Sequence, residues 1–168
     1  MRSMLFYGLL VLCLVWVGLR TDACGAVVGS KDSMRNLDGV RVEVDIEDFL
    51  LKDGLNQKQI RSEVIDALKR ADIRLLSESE WRAIKGRPLI LIQVTGQKIQ
   101  ENWKFYTYAI NIRLIQDVMM LRDQQTEPLS ASTWFYQMAG HGYIDDIRVR
   151  ILEATQIFTD AFHSANPR

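Results

Sequence analysis

The stretch FYTYAINIRLIQDV, residues 105–118, decides the fold because apolar and polar side chains alternate along most of it. Successive side chains of a β-strand point to opposite faces of a sheet, so the pattern predicts a long strand at or near the centre of a sheet. The residues expected on its buried face are Tyr106, Tyr108, Ile110, Ile112 and Leu114. The rest of the chain must supply partner strands and a cover for that face.

Three other segments have the pattern of strands. Val40 to Glu47 alternates apolar with charged residues, which predicts a strand with one wet face. Leu89 to Thr95 is apolar at nearly every position of its first half, as expected of an interior strand. Ser130 to Met138 is rich in β-branched and aromatic residues, which favours a last strand. Residues 73–76 leave room for one more short strand.

Two segments instead place apolar residues three or four positions apart, which is the spacing of an amphipathic helix. The first runs from Asn56 to Ala71 and the second from Tyr143 to His163. Each has a single apolar stripe and therefore one side to bury. The economical assembly is an α+β fold of two layers: a mainly antiparallel sheet of four or five strands with both helices on one face, in the order β-α-β-β-β-α.

The N-terminus predicts export. Arg2 is followed by an apolar run from Met4 to Leu19, which suits a signal-peptide core and is short of the roughly 20 residues that a spanning helix needs. We expect residues 1–26 to be a signal peptide, residues 27–38 a flexible tether and residues 39–168 a single domain. The alternative is that the apolar run is retained as a membrane anchor.

Cys24 is a candidate for lipidation because it follows the apolar run closely, as the modified cysteine of bacterial lipoproteins does. The preceding Thr21 and Asp22 depart from that pattern, so an incidental leader cysteine is the other interpretation. Cys13 lies inside the apolar run, which leaves no pair for a disulfide in the mature domain. We expect a periplasmic protein whose only membrane attachment, if it has one, is the N-terminal segment or a lipid on Cys24.

Charge and residue types argue against several classes of function. The chain has 21 basic and 21 acidic residues without a basic block, so we expect no nucleic-acid partner. Its two histidines and its cysteines form no cluster with metal-ligand spacing. It also has no glycine-rich phosphate loop and no G-x-S-x-G motif. We therefore expect no metal and no cofactor.

His141 is the one residue with a catalytic interpretation. His141 and Asp145 have the H-x-x-x-D spacing that some acyltransferases use, in which the histidine acts as a general base. The spacing is common by chance, and Asp145 is also explained as a first-turn residue of the last helix. We expect no enzymatic activity, with a small acyl-transfer enzyme that uses His141 as the alternative.

A binding surface is better supported than a catalytic site. If the helices cover the face that carries Ile90, Ile92, Tyr108 and Ile110, then further apolar residues lie on the opposite, wet face. These candidate binding residues are Leu89, Leu91, Phe105, Ile115 and Phe135. A contiguous apolar patch on a wet face marks a site for a protein or lipid partner. The alternative is that strand register scatters the five residues.

Several structural motifs together resemble those of a group of small exported bacterial proteins of unknown function. They are G-L-x-x-x-x-I-R-x-x-V from Gly54, P-L-I-L-I-x-V from Pro88, Y-x-Y-x-I-x-I-x-L from Tyr106, S-T-W from Ser132 and the closing A-N-P from Ala165. More distantly, the order of elements is similar to that of the lipoprotein subunit of the outer-membrane lipopolysaccharide translocon. The resemblance implies a fold of two helices on a four-stranded sheet and a place in the cell envelope, but no specific activity. Our own expectation is a non-enzymatic binding or adaptor module.

Overall fold

The computed structural model describes residues 24–122 and 127–167. Five strands form one mixed sheet: β1 (Cys24–Gly29), β2 (Arg41–Ile46), β3 (Leu89–Lys98), β4 (Tyr106–Val118) and β5 (Leu129–Gly142). Their order across the sheet is β1-β5-β4-β3-β2, so β4 is the central strand, as its alternation predicts. β2 and β3 are parallel, whereas the other three pairings are antiparallel.

The described helices are α1 (Asp48–Lys52), α2 (Gln57–Arg70), α3 (Glu78–Ala83) and α4 (Ile144–Ala165), with a 3₁₀ helix at Lys31–Met34. The two long helices, α2 and α4, pack against each other; α2 contacts β2, and α4 contacts β4 and β5. α2 belongs to the crossover that returns the chain from β2 to the parallel strand β3. The predicted α+β fold, with two helices on one face of the sheet, is confirmed.

The core lies between this helical layer and the inner face of the sheet. All five β4 residues that alternation assigns to the buried face are at most 3% exposed. The apolar stripe of α4 packs onto them, and its Phe158 meets Trp134 of β5 edge to face with ring centroids 5.4 Å apart. Both rings are almost fully buried, which joins the C-terminal helix to the sheet through a large apolar contact.

The N-terminal part of the described chain is more ordered than predicted. Residues 27–38, expected to be a tether, instead contain the end of β1 and the 3₁₀ helix, whose Met34 is fully buried. The side-chain amide of Asn166, beyond α4, binds the backbone of Met34 and Asn36 at 2.9 Å each. The sequence CGAVVG has no alternation of apolar and polar residues, so it does not predict a strand. The strand forms because β5 offers it a free edge with which to make hydrogen bonds.

The fifth strand is therefore β1 and not the predicted short strand at residues 73–76. That segment forms only an isolated bridge between Leu75 and Val40. β5 is also longer than predicted, since it continues through His141 to Gly142 before α4 begins.

Gly29 provides a test of the β1–β5 pairing. Gly29 and Gly54 both have positive φ angles, of 104° and 118°. A Cβ on Gly29 would lie 2.7 Å from the carbonyl oxygen of Thr133 in β5, whereas a Cβ on Gly54 would meet nothing within 4 Å. We expect Gly29→Ala to lower the free energy of unfolding by about 1–2 kcal/mol more than Gly54→Ala, as measured by denaturant titration. Equal losses would contradict this placement of β1.

Candidate binding surface

The face of the sheet that is turned away from α2 and α4, here called the open face, carries four of the five predicted binding residues. Leu89 pairs with Ile115 across β3 and β4. Leu91 pairs with Arg113, and Arg113 pairs with Phe135 of β5. All four apolar side chains are half-buried. The structure thus brings Leu89, Leu91, Ile115 and Phe135 together in two adjacent rows of the open face.

Arg113 lies in the middle of this apolar group. Its Nη2 donates a hydrogen bond to the side-chain oxygen of Gln93, and Gln93 donates to Asp45 at 3.0 Å. Its Nε is buried and, among the described residues, has no hydrogen-bond partner. A buried donor without an acceptor costs about 1–3 kcal/mol, so the arginine is held here at the expense of stability. Sequence reasoning missed it because a charged residue in an alternating strand usually indicates a wet position.

A polar row separates this apolar group from the other end of the open face. Asp45, Gln93, Asn111 and Gln137 lie opposite one another on β2, β3, β4 and β5. Phe105, the fifth predicted residue, lies beyond that row, just before β4 begins. The five predicted residues therefore form a group of four and a separate single residue, because strand register decides which side chains become neighbours.

Phe105 has aromatic neighbours of its own. Its ring centroid is 5.1 Å from that of Tyr143, in an edge arrangement, and 5.7 Å from that of His141. With Trp103 and Lys104, Phe105 and Tyr143 line a cleft of about 410 Å³. Trp103 and Tyr143 are 55% and 60% exposed, which is high for such large rings. We call Trp103, Phe105, His141 and Tyr143 the aromatic end of the sheet.

Sequence reasoning missed Trp103 and Tyr143. Trp103 lies in the polar connection between the predicted strands at Leu89–Thr95 and residues 105–118, and Tyr143 lies at the start of the last predicted helix. The available signal was a tryptophan between Asn102 and Lys104, where a turn needs no large apolar side chain. Tyr143 reaches Phe105 only because β5 runs on to Gly142, which the sequence did not predict.

A partly buried polar contact fixes the hairpin that carries the aromatic end. The Tyr106 hydroxyl donates to Asp53 at 2.9 Å, and Lys98 is 2.8 Å from the same carboxylate oxygen. The hydrogen bond from Lys98, followed by that from Tyr106, lowers the pKa of Asp53. Burial, with the contact to Asp53, raises the pKa of Tyr106 to about 12. The start of β4 and the end of β3 are thus both tied to the residue that ends α1.

The catalytic interpretation of His141 lacks its second residue. His141 is exposed on extended β5 backbone opposite Thr107, whereas Asp145 lies in the first turn of α4. No hydrogen bond or ion pair joins His141 to Asp145 in the part of the chain that the structure describes. It is Asp146 that caps the helix, by accepting a hydrogen bond from the Tyr143 backbone at 2.8 Å. The H-x-x-x-D spacing does not create a dyad here.

Within residues 24–122 and 127–167, no group of three or more His, Cys, Asp or Glu side chains is placed to hold a metal ion. Among the same residues, no helix has both the length and the apolar character needed to cross a bilayer. The predicted signal peptide lies almost wholly outside the described residues, and only the backbone of the lipidation candidate Cys24 is described.

No protein family matches the sequence of this chain, and no curated protein does. Solved structures show distant likeness. A variant PelC dodecamer from Paraburkholderia phytofirmans is 13% identical, with a TM-score of 0.47 over 79% of this chain and 95% of that one. A minor lipoprotein from Acinetobacter baumannii is 10% identical, with a TM-score of 0.34 over 76% and 92%.

Rare lipoprotein B from Shewanella oneidensis is 8% identical, with a TM-score of 0.32 over 74% of this chain and 92% of its own. Scores and identities of this size assign no function to the chain.

Arg113→Leu tests whether the open face holds a destabilising group. The leucine removes the unpartnered donor and joins Leu91 to Phe135 in one apolar row. We expect the free energy of unfolding to stay the same or rise by up to about 2 kcal/mol in denaturant titration. The control is Arg87→Leu, which removes a guanidinium that pairs with Asp117 and stacks on Trp81 and should lower stability. A clear loss of stability in Arg113→Leu would contradict the interpretation.

Proposed function

We propose that this chain is an exported, membrane-associated envelope protein that acts by binding a protein partner through its open face, and not by catalysis. The observation that carries the proposal is Arg113 with its buried, unpartnered Nε among Leu89, Leu91, Ile115 and Phe135. A charged group held at a cost in stability is a common mark of a functional position.

The kind of partner follows from the chemistry of that surface. The apolar rows favour burial against another apolar surface, and the guanidinium favours an acceptor such as a carboxylate or a backbone carbonyl. Arginine is also one of the residue types enriched in binding hot spots. A protein segment that presents apolar side chains around one acidic or carbonyl group fits this description.

Membrane association is supported by the position of β1. β1 pairs residue by residue with β5 from Cys24 to Gly29. Cleavage after residue 26, the end of the predicted signal peptide, would remove half of this strand. The pairing therefore favours a mature protein that keeps Cys24, and both routes of membrane attachment, lipidation of Cys24 and retention of the apolar run, require this.

Fractionation of the native host, followed by intact-mass measurement, tests this attachment. We expect the chain in the membrane fraction, with an N-terminus at or before Cys24. Acyl mass on Cys24 would identify a lipoprotein, and an intact apolar run would identify an anchor. A soluble species would contradict membrane association, whether or not it keeps Cys24.

Charge placed on the open face tests the binding proposal. We expect Leu91→Asp and Phe135→Asp to abolish recovery of the partner that cross-links to the wild-type chain in host membranes, because each carboxylate would be buried at the interface. Val149→Asp is the matched control, since Val149 is 53% exposed on α4, on the other side of the molecule. Circular dichroism shows whether each variant is folded.

His141→Ala separates binding from the enzymatic alternative. We expect this variant to keep the cross-linked partner, whereas the enzymatic alternative predicts that it loses activity. Retention of the partner by both open-face variants would exclude the open face as the binding surface.

A further inference from the structure

We propose that the aromatic end of the sheet rests on the bilayer surface, with the rings of Trp103 and Tyr143 at the level of the lipid headgroups. The proposal rests on the membrane attachment proposed above and adds which surface faces the lipid. Its evidence is that the N-terminal attachment and the aromatic end lie at the same end of the sheet.

Strand register establishes this common end. Cys24 pairs with Ala139 of β5, and Ala139 pairs with Ala109 of β4. Phe105 precedes Ala109 by four residues, so it lies about 13 Å further along the strand direction at the strand rise of about 3.3 Å per residue. The hairpin that carries Trp103 extends beyond Phe105.

The length of the chain before Cys24 limits how far the membrane can be. Leu19, the last residue of the apolar run, precedes Cys24 by five residues. Five extended residues span at most about 18 Å. A bilayer that holds the apolar run must therefore come within that distance of Cys24, and a lipid on Cys24 would bring it closer still. Phe105, about 13 Å beyond the level of Cys24 along the strand direction, lies within this distance.

A second exposed apolar group, formed by Met119, Met120 and Leu121, lies at the opposite end of the sheet. It follows β4, whose last residue pairs with Leu129 of β5. Leu129 is ten residues from Ala139 along β5, which is about 33 Å at the usual strand rise. If the strands are steep to the membrane, the short connection before Cys24 keeps the end of the sheet with Met119, Met120 and Leu121 away from the bilayer.

The side chains of the aromatic end suit an interface. Tryptophan and tyrosine concentrate at headgroup depth, because each has an apolar ring and a polar atom. Ile99, 49% exposed on the same hairpin, adds an aliphatic contact. The nearby charges are balanced: Lys98 pairs with Asp53, and Lys104 is accompanied by Glu101. The contact is therefore expected to depend on the rings and to persist at high salt.

Depth-dependent quenching of tryptophan fluorescence tests the proposal. The full-length chain is reconstituted into phosphatidylcholine vesicles that carry bromine on the acyl chains, either near the headgroup or near the chain end. The emission of Trp103 is the difference between the wild-type chain and Trp103→Phe. The matched reference is Trp81→Phe, because Trp81 stacks on Arg41 and Arg87 near the opposite end of the sheet. Because each signal is the difference between the wild-type chain and a variant, the emission of Trp16 in the apolar run cancels.

We expect the Trp103 emission to be quenched several-fold more than the Trp81 emission, and more by bromine near the headgroup than by bromine near the chain end. Vesicles should also protect Trp103, but not Trp81, from acrylamide in the aqueous phase. This second measurement compares the same chain with and without lipid, so it does not depend on how well Trp81→Phe folds.

The outcomes distinguish this proposal from the one on which it rests. A chain that does not float with the vesicles would overturn membrane attachment and the aromatic contact together. A chain that floats while Trp103 is unquenched by bromine and open to acrylamide would overturn the aromatic contact alone.

Discussion

The structure depends on the burial of one face of β4. Its side chains have a period of two, so a shift of one residue in pairing would turn all five buried apolar residues into the solvent. That penalty fixes β4 against β3 and β5 over nearly its whole length. The helices α2 and α4 then cover the inner face of the sheet. The alternate residues of β4, which point away from the helices, therefore lie on the open face.

Burial and alternation explain why the fold was largely predictable. The buried positions of β2 and β4 and the apolar stripe of α4 are visible as simple periods in the sequence, and β3 is visible as a nearly continuous apolar run. β1 was not predictable in the same way. Its residues are small, Val27 and Val28 are exposed, and its existence depends on the free edge of β5. A strand that forms mainly because a neighbouring edge is free need not show an alternating pattern in its own sequence.

The candidate site was predictable only in part, for a related reason. The sequence was enough to assign Leu89, Leu91, Ile115 and Phe135 to one face of the sheet. The face to which a side chain points depends only on its position within its own strand. Their grouping around Arg113, and the separation of Phe105, depend on register between strands, which one sequence does not contain. The aromatic end also depends on contacts across a hairpin and across the start of α4. Such contacts become apparent only when the chain is folded.

The two faces of β4 connect the stability of the fold with the orientation of the open face relative to the membrane. Its inner face forms the core, its outer face carries Arg113, and its first residues hold the hairpin of the aromatic end. Because one rigid strand sets all three, a bilayer in contact with the aromatic end would also fix the direction of the open face. With the strands steep to the membrane, that face would stand roughly perpendicular to the lipid surface. Arg113 would then lie about eight residues, or roughly 26 Å, from Phe105, well clear of the headgroups and accessible to a partner that approaches along the membrane.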